Sequence, residues 1–198
     1  MENQSSKETI LLNALSLFAQ RGFEAVGISE ICENSNITKP TLYYFFKSKD
    51  GLLEEILKTF LNPLSEKLTE WGNYEPIPTE YEKDVYGLLT RICNGLFEYF
   101  CKNKDFALFF VGLLTMPPNS KTALVAKFFV EDFNKFFTEI FYKISSVHGN
   151  VKSKETLLGF LFCSQVMASL NLYLQGELKL TKDFSHRLVH QFMHGIYA

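Results

Sequence analysis

Apolar residues recur every three or four positions through most of the chain, which is the spacing of helices with one buried face. No segment alternates strictly between apolar and polar residues, and glycine and proline fall at plausible breaks. We therefore predict an all-α fold, with helices at about 6–20, 28–34, 38–45, from 48 onward, 79–102, 104–115, 119–146, 153–175 and 181–197.

Residues at the helix ends agree with this division. Gly22 is placed to end the first helix in a left-handed conformation, and Asn36 can take the same conformation in the turn before the third helix. Thr38 is the expected cap of that helix, its hydroxyl accepting a hydrogen bond from the Thr41 amide, and Pro40 suits the first turn.

The fourth helix, which begins at Ser48, contains Pro63 and is expected to kink or break there. The loop at 72–78 is the best internal boundary within the remaining chain. We predict an N-terminal three-helix helix-turn-helix domain over residues 1–50 and a larger C-terminal helical domain over residues 51–198.

The outer face of the third helix carries the candidate nucleic-acid contacts. Leu42 and Phe46 can anchor this helix, which leaves outward Lys39, Thr41, Tyr43 and Tyr44. Tyrosine hydroxyls can bond phosphate oxygens, and threonine can meet base edges; the alternative is that either tyrosine packs under a neighbouring helix. Lys49 opposes the dipole of the helix after Ser48, which makes sense if a phosphate binds at that helix start.

Charge is concentrated in the same segment. The chain has a net charge of −2 and a pI near 6.1, which argues against non-specific coating of nucleic acid. From Asn36 to Lys49 there are three lysines and no acidic residue, whereas acidic residues flank the segment. DNA affinity would therefore come from a local patch.

The segment from Phe18 to Lys49, with its run Ile37-Thr38-Lys39-Pro40-Thr41-Leu42-Tyr43-Tyr44-Phe45-Phe46-Lys47-Ser48-Lys49, resembles the DNA-binding domain of TetR/AcrR-family repressors. The resemblance covers about a quarter of the chain. It implies DNA contacts by Thr38, Lys39, Thr41, Tyr43, Tyr44 and Lys49. The sequence departs from the family pattern at Val26-Gly27, at Pro40 and at Phe45, each of which removes a polar group that relatives commonly present to DNA.

The resemblance also implies an effector cavity in the C-terminal domain. Eleven phenylalanines between Phe97 and Phe141 suit either a plain core or the wall of a site for a hydrophobic, planar or amphipathic compound. The candidate ligand-binding residues are Tyr86, Asn94, Phe97, Phe110, Met116, Phe133, Phe137, Gln165 and Asn171.

The last two helices are expected to form a homodimer interface, as the resemblance implies. The final helix has a wide apolar arc (Phe184, Leu188, Val189, Phe192, Met193 and Ile196), and small residues in the preceding helix (Gly159, Cys163, Ala168 and Ser169) would let a partner approach. His186, His190 and His194 border this arc; they could bind a metal or form the polar edge of the interface, and we predict no metal and no cofactor.

Four dispersed cysteines and a polar start indicate a cytoplasmic protein. Residues 156–176 carry no charge over 21 positions, the length of a membrane span, but their polar residues favour a helix buried between protein surfaces.

The leading hypothesis is a ligand-responsive repressor that binds a palindromic operator in double-stranded DNA as a dimer and is released by a hydrophobic or aromatic small molecule. The alternatives are a helical enzyme, for which the sequence shows no catalytic constellation, and a protein-binding adaptor.

Overall fold

The computed structural model describes the backbone of residues 2–80 and 82–195, and the side chains of residues 6–80 and 82–195. Within these ranges there are α-helices, a 3₁₀ turn at Gly149–Val151, and no strand, so the all-α prediction is confirmed. The helices are α1 (Glu2–Arg21), α2 (Ile28–Asn34), α3 (Lys39–Phe46), α4 (Lys49–Trp71), α5 (Val85–Lys102), α6 (Lys104–Leu113), α7 (Lys121–Ser145), α8 (Glu155–Leu174) and α9 (Lys182–His194).

The start of α5 differs from the prediction. The sequence predicted a helix from residue 79, but α5 begins at Val85. The buried Asp84 carboxylate accepts hydrogen bonds from the Tyr74 hydroxyl (2.7 Å) and, less closely, from the Ile77 amide (3.3 Å). These bonds favour a non-helical conformation at Tyr74 and Ile77 and turns just before α5, because a side chain that bonds nearby backbone competes with the helix for the same groups.

The predicted interruption at Pro63 is wrong, because α4 continues through this residue to Trp71. A proline inside a helix removes one backbone hydrogen bond, but buried side chains on either side can offset that loss. Leu61 and Leu64, which flank Pro63, are both buried.

The chain forms two compact units. The first comprises the residues up to Pro63 together with Asn103–Val130, and the second comprises Leu64–Lys102 and the residues from Glu131 onward. In the first unit α1 packs against α6, with the rings of Phe18 and Phe109 at 6.1 Å. Helix α4 also contacts α6, since the rings of Phe60 and Phe106 stack at 4.6 Å. The boundary predicted at residue 50 separates a helix-turn-helix domain from a larger C-terminal domain by their expected functions, and it stays a prediction.

The second unit is built around phenylalanine rings. Phe162 of α8 lies at its centre, with ring centroids 5.2 Å from Phe192, 6.2 Å from Phe137 and 6.4 Å from Phe141. Phe97 of α5 contacts Phe184 of α9 at 6.2 Å. The wide apolar arc of α9 therefore packs against three helices of its own chain, and Ile196, the last member of that arc, lies outside the described residues.

The small residues of α8 mostly serve packing within the chain, contrary to the prediction. A Cβ on Gly159 would come within 2.9 Å of the Phe137 and Thr138 backbone, so glycine permits α8 to approach α7. Cys163 and Ser169 are buried as well, and of the four predicted small residues Ala168 alone is exposed. The sequence shows that small residues allow close approach, but it does not show which helix approaches.

One helix among the described residues, α8, is long and apolar enough to cross a membrane by length and composition. Its inner face is buried in the second unit. Its outer face exposes four large apolar side chains, those of Leu157, Phe160, Leu161 and Leu172. This outer face, the α8 apolar face, has no cover within the described chain.

Candidate nucleic-acid interface

The turn between α2 and α3 depends on one left-handed residue. Asn36 has φ of 51°, as predicted, and its amide donates to the Glu33 carbonyl at 3.1 Å. The Ile37 amide donates to the Cys32 carbonyl at 3.0 Å. These bonds close the end of α2 and direct the chain into α3.

Helix α3 presents its two faces as predicted. Leu42 and Phe46 are 0% and 4% exposed, whereas Tyr43 and Tyr44 are 43% and 74% exposed. Lys39 is exposed too, and Thr41 is half-buried. The alternative that the tyrosines pack beneath a neighbouring helix is therefore wrong for Tyr44, and Tyr43 keeps a large accessible surface.

The predicted cap bond at Thr38 is wrong. Thr38 does occupy the cap position of α3, but its side chain makes no hydrogen bond to the helix backbone. Its hydroxyl instead lies 2.9 Å from the Thr41 hydroxyl. One of these hydroxyls donates to the other, and the second keeps its proton for an external acceptor at the start of α3.

Lys49, the predicted phosphate contact, lies against aromatic rings. Its ammonium is 4.3 Å from the ring centroid of Phe23 and 6.0 Å from that of Phe18. Partial burial lowers the pKa of Lys49, and the nearby Lys121 lowers it further, whereas Asp50 and Glu24 oppose the shift. The cation is thus held by the corner that follows α1, beside the start of α4.

The start of α4 is capped by Ser48, whose hydroxyl accepts a hydrogen bond from the Gly51 amide at 2.9 Å. Asp50 in the same turn lies 3.1 Å from the Lys121 ammonium of α7. The Thr122 hydroxyl donates to Glu24 at 3.3 Å. Sequence reasoning missed these α7 residues, since about 70 positions separate Lys121 from Asp50 and no local pattern connects them.

Internal contacts also join α1 to its neighbours. Arg21 of α1 forms an ion pair with Glu30 of α2, and the Asn13 amide donates to the Asn34 carbonyl at 3.1 Å. Lys7 of α1 pairs with Glu55 of α4. Helix α3 is anchored by the buried Leu42 and Phe46, and a helix with an exposed polar face is the geometry required for reading a DNA groove.

Comparison with known proteins identifies this region. Residues 10–56 match the family described as bacterial regulatory proteins, tetR family. Over these residues the chain is similar to the tetR family.

Curated relatives match part of the chain, and solved structures match most of its length. The transcriptional repressor KstR2 of Mycolicibacterium smegmatis is 34% identical over 73 residues, which are 37% of this chain and 33% of KstR2. A putative fatty acid metabolism regulator of Clostridium perfringens has a TM-score of 0.78 at 20% identity, covering 96% of this chain and 99% of that one. FadR of Bacillus subtilis, solved with stearoyl-CoA, has a TM-score of 0.75 at 15% identity, with the same coverage.

The match thus spans about a third of the curated relative's length, and the likeness to the solved structures concerns the fold.

The three departures from the tetR-family pattern are all placed in the structure. Val26 is buried and Gly27 caps α2 without a side-chain bond. Pro40 is exposed in the first turn of α3. The Phe45 ring packs edge-on against Tyr44 at 5.2 Å and so supports that tyrosine.

The predicted ligand residues differ in burial and belong to different units, and their role in ligand binding stays a prediction. Phe97, Phe110, Phe133 and Phe137 are buried, with the rings of Phe133 and Phe137 5.2 Å apart. Gln165 is exposed on α8, and so does not point into the core as expected. Asn94, Met116 and Asn171 are half-buried. Phe110 and Met116 belong to the first unit and the other seven residues to the second.

Tyr86 is the one predicted ligand residue that lines a described cavity. This space of about 250 Å³ is bounded also by Asp84, His148 and Met193. The Tyr86 hydroxyl bonds His186 Nδ1 at 2.8 Å, so that histidine serves a contact within the chain. The rings of His190 and His194 lie 4.5 Å apart in a tilted arrangement, and among the described side chains no group of three potential ligands could hold a metal ion.

Proposed function

We propose that this tetR-family protein is a dimeric repressor that binds a palindromic operator in double-stranded DNA and releases it when a hydrophobic or amphipathic small molecule binds. In this proposal the protein acts in the cytoplasm by binding DNA and a small molecule, and it catalyses no reaction. The observation that carries the proposal is the outer face of α3, where Tyr43, Tyr44 and Lys39 are exposed above the buried anchors Leu42 and Phe46. Exposed tyrosines beside lysines are suited to phosphate and base contacts.

The remaining proposed DNA contacts surround this face. Thr38 and Thr41 offer hydroxyls at the start of α3, and Lys49 offers a cation at the start of α4. The match of residues 10–56 to the tetR-family model supports this proposal, as does the similarity over 73 residues to KstR2, a transcriptional repressor. The adaptor alternative has no comparable observation in its favour.

DNA binding is tested by selecting duplexes from a random pool with the full-length protein and then titrating the selected duplex with salt. Several phosphate contacts predict a fall in affinity of roughly a hundredfold or more between 50 and 200 mM salt. Replacing Tyr43 and Lys49 together with alanine should abolish binding without changing the sedimentation coefficient. Lys127→Ala, an exposed lysine of α7, is the control for loss of charge. Retained operator binding by the double variant would contradict the contact assignments.

The dimer is proposed on the α8 apolar face, which exposes Leu157, Phe160, Leu161 and Leu172. A contiguous apolar surface of this kind is characteristic of protein interfaces, and a two-fold dimer places two copies of α3 on a palindrome. The expected result is that Phe160→Glu dissociates the dimer in sedimentation and weakens binding to the palindrome. Lys152→Glu, an exposed residue shortly before α8, should do neither.

The effector is proposed to bind among the phenylalanines of the second unit, which provide apolar walls once the packed rings separate. Helix α4 belongs to both units, and the boundary falls at Pro63, so that helix is the proposed element of coupling. A coupling of about 1 to 3 kcal/mol would reduce operator affinity five- to 150-fold. The first probe is stearoyl-CoA, the ligand of the structurally similar FadR. It should raise the melting temperature and displace DNA; a melting temperature unchanged by this and by shorter acyl-CoA probes would contradict an acyl ligand.

A further inference from the structure

Two carboxylates flank the proposed phosphate-binding lysine. Asp50 follows Lys49 directly in α4, and Glu24 follows Phe23, on whose ring the Lys49 ammonium lies. A carboxylate beside a phosphate site opposes binding, because it repels the phosphate and competes for the lysine. In the structure each of the two carboxylates has a contact partner on another helix.

Both carboxylates contact the first turn of α7. Lys121 Nζ lies 3.1 Å from Asp50 Oδ1, and the buried Thr122 donates its hydroxyl to Glu24 Oε1 at 3.3 Å. These residues belong to one compact unit, although α7 lies far outside residues 10–56, which carry the family match. Residues of α7 therefore contact, and in part neutralise, the carboxylates of the proposed DNA-binding segment.

One oxygen of the Asp50 carboxylate relies on this contact. The side chain is half-buried, but its Oδ1 atom is buried and has no hydrogen-bond partner among the described residues, so the ion pair with Lys121 is the compensation that these residues provide. A buried carboxylate oxygen that loses its cation takes another one if it can reach it.

We propose that Lys121 is a positioning residue for DNA binding: it pairs with Asp50 and so leaves the Lys49 ammonium available to a DNA phosphate. The proposal rests on the proposed DNA-binding function. Without Lys121, the Asp50 carboxylate competes with the phosphate for Lys49, its neighbour in the first turn of α4. The result is weaker binding to every DNA sequence, because phosphate contacts carry no sequence information.

The test is a double-mutant cycle on the full-length protein, measured on the duplex selected by the wild type and on a scrambled duplex of the same length. Lys121→Met keeps the alkyl chain and removes the charge, and it should weaken binding to both duplexes by roughly three- to tenfold, the range for one added carboxylate repulsion near the surface. In the Asp50→Asn background the same substitution should change affinity by less than about twofold, since the carboxylate has gone. Lys127→Met is the matched control on α7 and should bind as the wild type does.

Three results overturn the proposal. If Lys121→Met binds both duplexes as the wild type does, the ion pair does not matter for DNA. If its effect persists in Asp50→Asn with a salt slope lower by about one, Lys121 touches a phosphate itself. If binding to the scrambled duplex is unchanged while binding to the selected one is weakened, Lys121 acts in base reading. If the wild type binds neither duplex, the proposed function has failed instead, and thermal melts confirm that each variant is folded.

Discussion

The two aromatic regions of the molecule are organised in opposite ways. On α3 the aromatic side chains Tyr43 and Tyr44 face outward, and the helix is held by Leu42 and Phe46 beneath them. In the second unit the rings face inward and contact one another, with Phe162 fully buried among its neighbours. The first region has aromatic surface available for a partner, whereas the second has already used its aromatic surface in packing. The phenylalanine cluster therefore stabilises the fold, whereas α3 presents the surface on which DNA recognition is proposed.

The largest expected effect follows from truncating the centre of the cluster. Phe162→Ala should lower the free energy of unfolding by roughly 3 to 5 kcal/mol, because it removes a buried ring and leaves a cavity. Chemical denaturation of the full-length protein measures this change. A ligand that fills the new cavity, such as benzene, should restore part of the loss.

The matched control for this substitution is Tyr44→Ala, which removes an exposed ring from α3. It should change the free energy of unfolding by no more than about 0.5 kcal/mol, as is usual for surface positions. It should nevertheless weaken binding to the selected duplex. Equal destabilisation by the two substitutions would remove the distinction between the two regions.

The sequence predicted most of α3 because the signals there are local. Asn36, Leu42 and Phe46 act through turn geometry and helix periodicity, and these can be read within a window of a dozen residues. The family resemblance then supplied roles for exposed positions such as Tyr44. Even here the Thr38 hydroxyl found a side-chain partner in place of the backbone amide, since two nearby hydroxyls can satisfy each other.

Contacts between distant parts of the chain could not be predicted. The Lys121–Asp50 pair and the cluster of Tyr74, Asp84 and His148 join residues that share no periodic pattern. For the same reason the sequence did not predict that Gly159 faces α7 of its own chain, since a small residue allows any helix to approach closely. Composition indicated a wide aromatic core, but it did not distinguish packed rings from an open cavity.

An intermediate effect is expected from Tyr74→Phe. The Tyr74 hydroxyl donates to Asp84 at 2.7 Å and lies 3.0 Å from His148 Nε2, and burial together with Asp84 raises the pKa of Tyr74 well above its usual value. Removing it deprives a buried carboxylate of a donor, at a cost of roughly 1 to 3 kcal/mol in the free energy of unfolding.

The control for Tyr74 is Tyr142→Phe, an exposed tyrosine of α7, which should be neutral. The comparison also separates polar from aromatic stabilisation in the second unit, because both substitutions keep the ring. If Tyr74→Phe were as neutral as Tyr142→Phe, the start of α5 would be fixed by something other than this cluster.

The smallest expected effect is the difference in stability between substitutions at two helix-capping positions of the proposed DNA-binding region, Ser48 and Thr38. Ser48→Ala should lower the free energy of unfolding by about 1 kcal/mol, because the Ser48 hydroxyl accepts the Gly51 amide hydrogen bond at the start of α4. Thr38→Ala should cost less than about 0.5 kcal/mol, because its hydroxyl bonds another side chain and satisfies no backbone amide. Thermal unfolding of both variants under one set of conditions measures the difference. A greater loss for Thr38→Ala would mean that the Thr38 hydroxyl does cap α3 in solution, as the sequence first indicated, and that its freedom to contact DNA is smaller than the structure suggests.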